Sequence, residues 1–254
     1  MDASFEQLVT EANEASVGWD FSWLDGRATE ERTSWGYQRL LGRKLAGARA
    51  ALDIQTGGGE VLAGAGSENF PATLVATEGW PPNVAKATAL LHPLGVVVVA
   101  DPDDPPLPFA DCAFDLVTSR HPATVHWSEI ERVLTPAGTY FAQHVGGAPN
   151  VEISEYLLGP LDPDDDRNHE IEADEARKAG LEVVQRRNER LHLAFFDVGA
   201  VIYFLRKVIW TVPDFTVDRY RDRLEALHEQ IRRDGVFRST MSRTLFEVRK
   251  PTRS

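Results

Sequence analysis

Several features that would restrict function are scarce in this sequence. It has one cysteine, Cys112, in 254 residues, so no disulfide can form within the chain and we expect a reducing compartment, the cytoplasm. Basic residues number 27 against 39 acidic ones, which gives a formal net charge of −12. Binders of nucleic acid or anionic membranes usually present a basic face. The composition therefore argues against nucleic acid as the general partner.

Long apolar runs are also missing. The most apolar stretch, residues 194–205, is too short to span a bilayer and is read as a buried helix. Residues 1–24 contain neither the basic nor the apolar region of a signal peptide. We therefore expect no membrane association and no secretory signal.

From residue 50 to residue 146, apolar strand-like segments alternate with helix-like ones. Alternation at this spacing predicts parallel βαβ units and a doubly wound α/β sheet. The run VVVVAD is mostly β-branched, which is typical of a strand covered on both faces. The predicted strands are residues 50–54, 73–78, 96–101, 114–121 and 139–146, and a helix is predicted over residues 126–138.

The flanking segments follow other patterns. Two helices, residues 4–15 and 29–46, make residues 1–47 a predicted helical cap ahead of a main domain at 48–254. A loop-like insertion at about 147–169 interrupts that domain. Beyond it, helices are expected at residues 170–180, 198–210 and 218–235, and strands at 181–196 and 239–250.

A glycine turn directly follows the first strand of the alternating region. The sequence DIQTGGGE runs from Asp53 to Glu60 and places Gly57, Gly58 and Gly59 at the start of a helix. Glycines at this point let backbone N–H groups approach a ligand closely. A dinucleotide fingerprint would need a further glycine at position 62, which is Leu62.

The next strand ends in an acid, Glu78, 19 residues after Gly59. A carboxylate at this place can accept hydrogen bonds from both ribose hydroxyls of an adenosine group. A glycine turn without a ligand and a solvated strand-end acid are the structural alternatives. The two signals together favour binding of a nucleoside.

Four segments together resemble the class I S-adenosylmethionine-dependent methyltransferases over roughly residues 35–147. The resemblance implies a doubly wound, seven-stranded, mostly parallel α/β sheet with an N-terminal helical cap, and S-adenosyl-L-methionine as cofactor. Gln55 departs from the family pattern, because it replaces the first loop glycine. The four segments are ALDIQTGGGE, VATEGWPPNVAKA, VVVVADPDDPPLPFADCAFDLV and SEIERVLTPAGTYFAQHVGG.

The resemblance also implies a role for each matching position. Asp53 and the backbone from Gly57 to Gly59, with Gln55 and Thr56 in the same turn, would hold the amino-acid end of the cofactor. Glu78 would bind the ribose, while Gly79 and Trp80 would line the part of the site that holds the adenine. Asp101 would meet the adenine amino group, with Asp103 as the alternative.

Methyl transfer needs alignment of an acceptor with the methyl group and, for a protonated acceptor, a base. His121 is the first candidate, as base or orienter, because it ends the fourth strand beside Arg120. His144 and His126 are alternatives, and each histidine could equally be structural. We expect no metal, although Asp162 to Asp166 form an acidic run.

The predicted function is therefore methyl transfer from S-adenosylmethionine to a small-molecule acceptor. One alternative is an RNA or protein methyltransferase that uses a local basic patch. Another is a cofactor-binding protein without catalysis, in which Gln55 reflects lost activity. The patch would consist of Arg186, Arg187, Arg190, Arg232 and Arg233.

Overall fold

The computed structural model describes residues 3–15, 21–146, 150–161 and 168–252. The chain divides into two compact units. We call residues 33–146, 166–189 and 243–254 the site unit, and residues 1–32, 147–165 and 190–242 the flanking unit. The cap boundary predicted at residue 47 stays a prediction. The acidic run at 162–166 lies outside the described residues.

Helices and strands alternate through the site unit, as expected for βαβ units. The helices are α1 (Phe5–Glu14), α2 (Tyr37–Ala46), α3 (Glu60–Ala63), α4 (Pro81–Leu91), α5 (Trp127–Val133), α6 (Val151–Leu158), α7 (His169–Lys178), α8 (Val198–Lys207) and α9 (Arg221–Asp234). The strands are β1 (Ala28–Glu30), β2 (Ala50–Ile54), β3 (Thr73–Glu78), β4 (Val97–Ala100), β5 (Phe114–Arg120), β6 (Leu134–Val145), β7 (Glu182–Phe195) and β8 (Phe237–Arg249).

The described residues form eight strands rather than the predicted seven, in the order β1-β7-β8-β6-β5-β2-β3-β4. Strands β2 to β6 pair in parallel, and β8 pairs antiparallel with β6. The additional strand is β1, which pairs antiparallel with β7 and contains only three residues. Three residues are too few to show a two-residue period, so the sequence pattern merged them into a helix beginning at residue 29.

Successive residues of β2 point to opposite faces of the sheet. Leu52 packs in a cluster with Ile130 of α5, and Ala51 packs in a second cluster with Leu41 of α2 and Leu91 of α4. Helices thus cover both faces of the parallel strands, which confirms the doubly wound α/β arrangement.

Two predicted boundaries near the fifth strand were wrong. The helix predicted to run to residue 138 ends at Val133, because Pro136 follows and Ala137 has a positive φ of 64°. Leu134 instead pairs with Phe114 as the start of β6. Part of the predicted loop after residue 147 is the helix α6.

Strand β4 does not have the position that its sequence predicted. It pairs only with β3, at one end of the strand order, and the side chain of Val97 is 56% exposed. The expectation that this run is covered on both faces was therefore wrong. A β-branched run reports a preference for extended backbone and does not by itself specify a central position in a sheet.

The flanking unit has its own apolar core around α8. Asp197 caps this helix by accepting a hydrogen bond from the backbone N–H of Ala200, and every residue from Val198 to Leu205 is buried. This confirms the prediction of a buried helix. Within the described residues, none of the helices combines the length and the apolar composition needed to cross a membrane.

Candidate active site

Parallel strands bring their carboxyl ends to one edge of the sheet, where ligands bind in open α/β folds. In the site unit this edge holds the ends of β2, β3, β4 and β5. The glycine turn follows β2 directly and leads into the short helix α3. Gly57 and Gly59 have φ of 65° and 85°, a region that glycine adopts without strain.

Glu78 links the two motifs that the sequence singled out. Its Oε2 accepts a hydrogen bond from the backbone N–H of Gly57 at 2.8 Å, and its Oε1 accepts one from the N–H of Trp80 at 3.0 Å. The side chain is buried, whereas Trp80 is 46% exposed. The strand-end acid therefore orders the glycine turn, and a ribose would have to share its carboxylate with these amides.

Asp53 is buried at the end of β2. The hydroxyl of Thr118 on β5 donates a hydrogen bond to its Oδ1 at 2.6 Å. Burial raises the pKa of Asp53 to about 6, although the hydroxyl contact opposes this shift. Asp53 can therefore gain or lose a proton near neutral pH.

Asp101 and Asp103 lie together after β4. The backbone N–H of Asp103 donates to Oδ1 of Asp101 at 2.9 Å. Burial, followed by the negative charges of Glu78 and Asp101, raises the pKa of Asp103 to about 6. Gly79 packs against this turn so closely that an added Cβ would lie 2.9 Å from the carbonyl oxygen of Asp101. The three acids thus share one small region.

Gln55 joins the glycine turn to the loop after β5. Its Oε1 accepts a hydrogen bond from the N–H of Ala123 at 2.6 Å, and its Nε2 donates to the carbonyl of Thr124 at 2.8 Å. Gln55 also has a positive φ of 56°. The adjoining cavity has a volume of only about 20 Å³, room for roughly one water molecule. This side chain therefore closes one side of the site.

One polar atom at this edge, Oδ1 of Asp103, is buried without a hydrogen-bond partner among the described residues. Buried polar atoms normally find partners, and a Cβ placed on Gly57 would meet open space. A free acceptor near open backbone fits a polar ligand such as a nucleoside with an amino-acid tail.

Among the candidate catalytic residues, His121 lies at the edge and follows β5 with a φ of 58°. Burial, then the positive charges of Arg120 and Arg243, hold the pKa of His121 well below its ordinary value. Its Nε2 lies 2.9 Å from Nε2 of Gln143. Arg120, the last residue of β5, is exposed.

The other two histidines have different surroundings. His144 is buried in the core, with Nε2 at 2.9 Å from the Tyr140 hydroxyl and Nδ1 at 3.1 Å from Oε1 of Glu172. His126 precedes α5, and its Nε2 lies 2.9 Å from the carbonyl oxygen of Asp103. Both rings therefore already have protein partners.

The sequence did not single out several residues that shape this edge. Thr118 contacts Asp53, and the hydroxyl of Ser119 donates to the carbonyl of Ile54 at 2.9 Å. Gln143 bridges Trp35 and His121. For Gln143, its place three residues before the predicted end of a strand was the one available signal.

The comparisons with known proteins concern the family and the fold of this chain. A methyltransferase domain family matches residues 52–142, from β2 into β6. No curated protein matches the sequence.

Three solved structures illustrate the likeness of fold. A protein of Bacillus halodurans assigned as a methyltransferase is 20% identical, with a TM-score of 0.59 over 85% of this chain and 99% of that one. A protein assigned as a methyltransferase, in a complex with the Trm112 activator of Haloferax volcanii, is 23% identical, with a TM-score of 0.52 over 92% and 93%. The [4+2]-cyclase SpnF is 19% identical, with a TM-score of 0.52 over 87% and 85%.

Proposed function

We propose that this chain, a class I S-adenosylmethionine-dependent methyltransferase whose residues 52–142 match a methyltransferase domain family, methylates a small-molecule acceptor. The observation that carries the proposal is the contact between Glu78 and the glycine turn at 2.8 Å. It joins an acid suited to ribose hydroxyls to backbone amides suited to a polar tail.

The bound cofactor would supply a methyl group on a positively charged sulfur. Glu78 would accept hydrogen bonds from the ribose hydroxyls. Asp53, Thr56 and the Gly57 backbone would hold the amino-acid end of the cofactor. Asp103 would accept from the adenine amino group through its unpartnered Oδ1, which makes it a better candidate than Asp101.

The charges favour a small acceptor over RNA. Four of the five arginines of the hypothetical basic patch have an acidic partner. Arg186 pairs with Glu170 at 2.9 Å, and Arg187 with Glu189 at 3.5 Å. Arg232 and Arg233 pair with Glu229 and Asp234, respectively. Paired arginines release fewer counterions when they bind a phosphate backbone, so the patch is a weak basis for RNA affinity.

A second candidate function is a reaction other than methyl transfer in the same fold. SpnF has a similar fold and is a [4+2]-cyclase, and fold alone does not specify chemistry. The closure of the site by Gln55 also suits a protein that keeps the cofactor without turnover. For either function we expect a cytoplasmic location, as the single cysteine indicated.

Calorimetric titration with S-adenosylhomocysteine tests the proposal. We expect one site, and Glu78→Ala should weaken binding by about 1.5–3 kcal/mol, because it removes charge-assisted hydrogen bonds. The control is Glu60→Ala, since Glu60 lies in the same segment, is exposed and pairs with Lys86. Native affinity in a folded Glu78→Ala protein would remove Glu78 from the site. Binding without methyl transfer to any small-molecule acceptor would favour the second candidate.

A further inference from the structure

A buried chain of side-chain hydrogen bonds ends on His121. The indole Nε1 of Trp35 lies 2.8 Å from Oε1 of Gln143, and Nε2 of Gln143 lies 2.9 Å from Nε2 of His121. Trp35 and Gln143 are both buried. The backbone N–H of His121 also donates to the carbonyl of Gln143 at 2.7 Å, so Gln143 holds this residue at two points.

The chemistry of the three groups fixes the direction of every hydrogen bond. An indole nitrogen can only donate, so the atom of Gln143 that faces it must be the amide oxygen. The amide NH₂ of Gln143 then faces His121, and this group can also only donate. Nε2 of His121 must therefore accept. A neutral imidazole with an accepting Nε2 has its proton on Nδ1.

The same contacts disfavour the doubly protonated ring. A proton on Nε2 would point at the amide protons of Gln143, and Gln143 cannot rotate its oxygen toward the ring without losing the hydrogen bond from Trp35. A buried polar group left without its hydrogen-bond partner is disfavoured. Burial and the charges of Arg120 and Arg243 act in the same direction on the pKa of His121.

The other ring nitrogen has no hydrogen-bond partner among the residues that the structure describes. His121 is half-buried, and it begins the loop after β5 that Gln55 contacts at Ala123 and Thr124. His121 thus lies at the same edge of the sheet as the glycine turn.

Building on the proposed function, we propose that Gln143, oriented by Trp35, is a positioning residue that keeps His121 neutral and protonated on Nδ1. His121 then presents a hydrogen-bond donor to the acceptor molecule and does not serve as its base through Nε2. The sequence left the choice between base and orienter open, and this arrangement selects the orienter.

Nitrogen-15 NMR of the histidine rings tests the protonation state directly. The chain has seven histidines, and the resonances lost in His121→Gln identify this ring. At pH 7 we expect a protonated Nδ1 and an unprotonated Nε2. A protonated Nε2 in the wild-type protein would overturn the proposal, and this measurement needs no variant beyond the one used for assignment.

Gln143→Glu then tests the part played by the amide. A carboxylate keeps the hydrogen bond from Trp35 but accepts from the ring, so Nε2 should gain a proton and the titration midpoint of His121 should rise by about 1–3 pH units. Gln38→Glu on α2 is the control, because Gln38 lies near Val61 and contacts its carbonyl instead. It should leave the ring unchanged.

A merely structural role for Gln143 predicts another result. Gln143→Glu would then lower the melting temperature and leave the ring protonation as it was, which would overturn the proposal. If this variant does not fold, Trp35→Phe provides the second test. It frees the amide to rotate, so the preference for the Nδ1 proton should weaken, and an unchanged ring would count against the proposal. Titration of the wild-type protein with S-adenosylhomocysteine tests the proposed function separately, since its failure would leave the ring state intact.

Discussion

Two regions of the site unit use the same kinds of polar residue in different ways. At the carboxyl edge, three residues other than glycine have a positive φ, namely Gln55, Asp103 and His121. In the core beneath α5 and α7, His144 lies in the regular strand β6 with a partner on each ring nitrogen. The edge therefore holds strained backbone with free polar atoms, whereas His144 in the core has regular backbone and satisfied ring nitrogens.

The difference indicates where ligand binding is concentrated. Left-handed backbone costs of order 1–3 kcal/mol at residues other than glycine, and it persists where the surroundings enforce it, often at functional sites. A fully partnered histidine in a buried network instead contributes to stability and to a unique core. His121 follows β5 and His144 lies on the neighbouring strand β6, yet their surroundings assign one to the site and the other to the core.

The largest expected effect is on binding, at the glycine turn. Gly57→Val should abolish binding of S-adenosylhomocysteine, because a branched side chain is strained at a φ of 65° and fills the open space beside the turn. Gly95→Val is the matched control, since Gly95 has a φ of 83° and also faces open space, but it follows α4 away from the edge. Calorimetry on both folded variants measures the effect. Equal loss of binding in both variants would contradict the inference that ligand binding is concentrated at the carboxyl edge of the site unit.

The next effect should be on stability, with binding preserved. Glu172→Ala leaves Nδ1 of His144 without its acceptor, which should cost about 1–3 kcal/mol. For a chain of this size the melting temperature should fall by roughly 2–4 °C per kcal/mol. Glu175→Ala on the same helix is the control, because Glu175 is exposed. Weakened cofactor binding in Glu172→Ala at a temperature where it is folded would place the core network in the site.

A smaller effect should appear when pH is changed. The pKa of Asp103 is raised to about 6, and an adenine amino group pairs better with the ionised carboxylate. Affinity should therefore fall about tenfold for each pH unit below 6. Asp103→Asn should reduce this dependence and leave only the part due to Asp53, whose pKa is also raised to about 6, whereas Asp104→Asn at the exposed neighbour should not reduce it. A pH-independent affinity in the wild-type protein would exclude Asp103 as the adenine partner.

The ionisation of Asp103 affects folding stability in the opposite direction to binding affinity: stability falls, rather than rises, as pH increases. The folded pKa lies above the unfolded value of about 3.9, so the folded protein binds more protons between these two values. Asp103 therefore lowers stability progressively as pH rises from about 4 through 6. Thermal melts of the Asp103→Asn variant over the same pH range should no longer show this loss of stability.

The features that the sequence predicted are those determined by residues close to one another along the chain. The glycine turn, Glu78 and the alternation of strands and helices are local patterns, and the structure brings Glu78 into contact with Gly57. Long-range partners leave no such pattern. Trp35 and Gln143 are 108 residues apart in the sequence, and neither residue type at its position indicates the other.

The position of a strand in the sheet is also a long-range property. The run of valines in β4 predicted a covered strand, but the order of the strands is set by which elements pack on which face. Similarly, His121 and His144 both lie near the predicted ends of neighbouring strands. Only the packing of α7 against α5 places Glu172 beside His144 and separates this histidine from His121.

The smallest effect is expected at Gln55, whose side chain closes one side of the site by bonding to the loop after β5. Both ends of its amide are used by the loop at Ala123 and Thr124, and a φ of 56° suits glycine better than glutamine. Gln55→Gly should relieve backbone strain and release the loop. The cavity of about 20 Å³ could then open without breaking two hydrogen bonds, so S-adenosylhomocysteine should bind tighter by a few-fold.

The sequence favoured a different role, in which the amide of Gln55 is recruited by the cofactor. That role predicts weaker binding in Gln55→Gly. Gln55→Glu separates the two cases, because a carboxylate keeps the contact with the Ala123 N–H but cannot donate to Thr124. If the loop contact opposes binding, both variants should bind more tightly than the wild-type protein. If both variants bind more weakly, the Gln55 side chain contacts the cofactor directly. A group other than Gln55 then closes this side of the site.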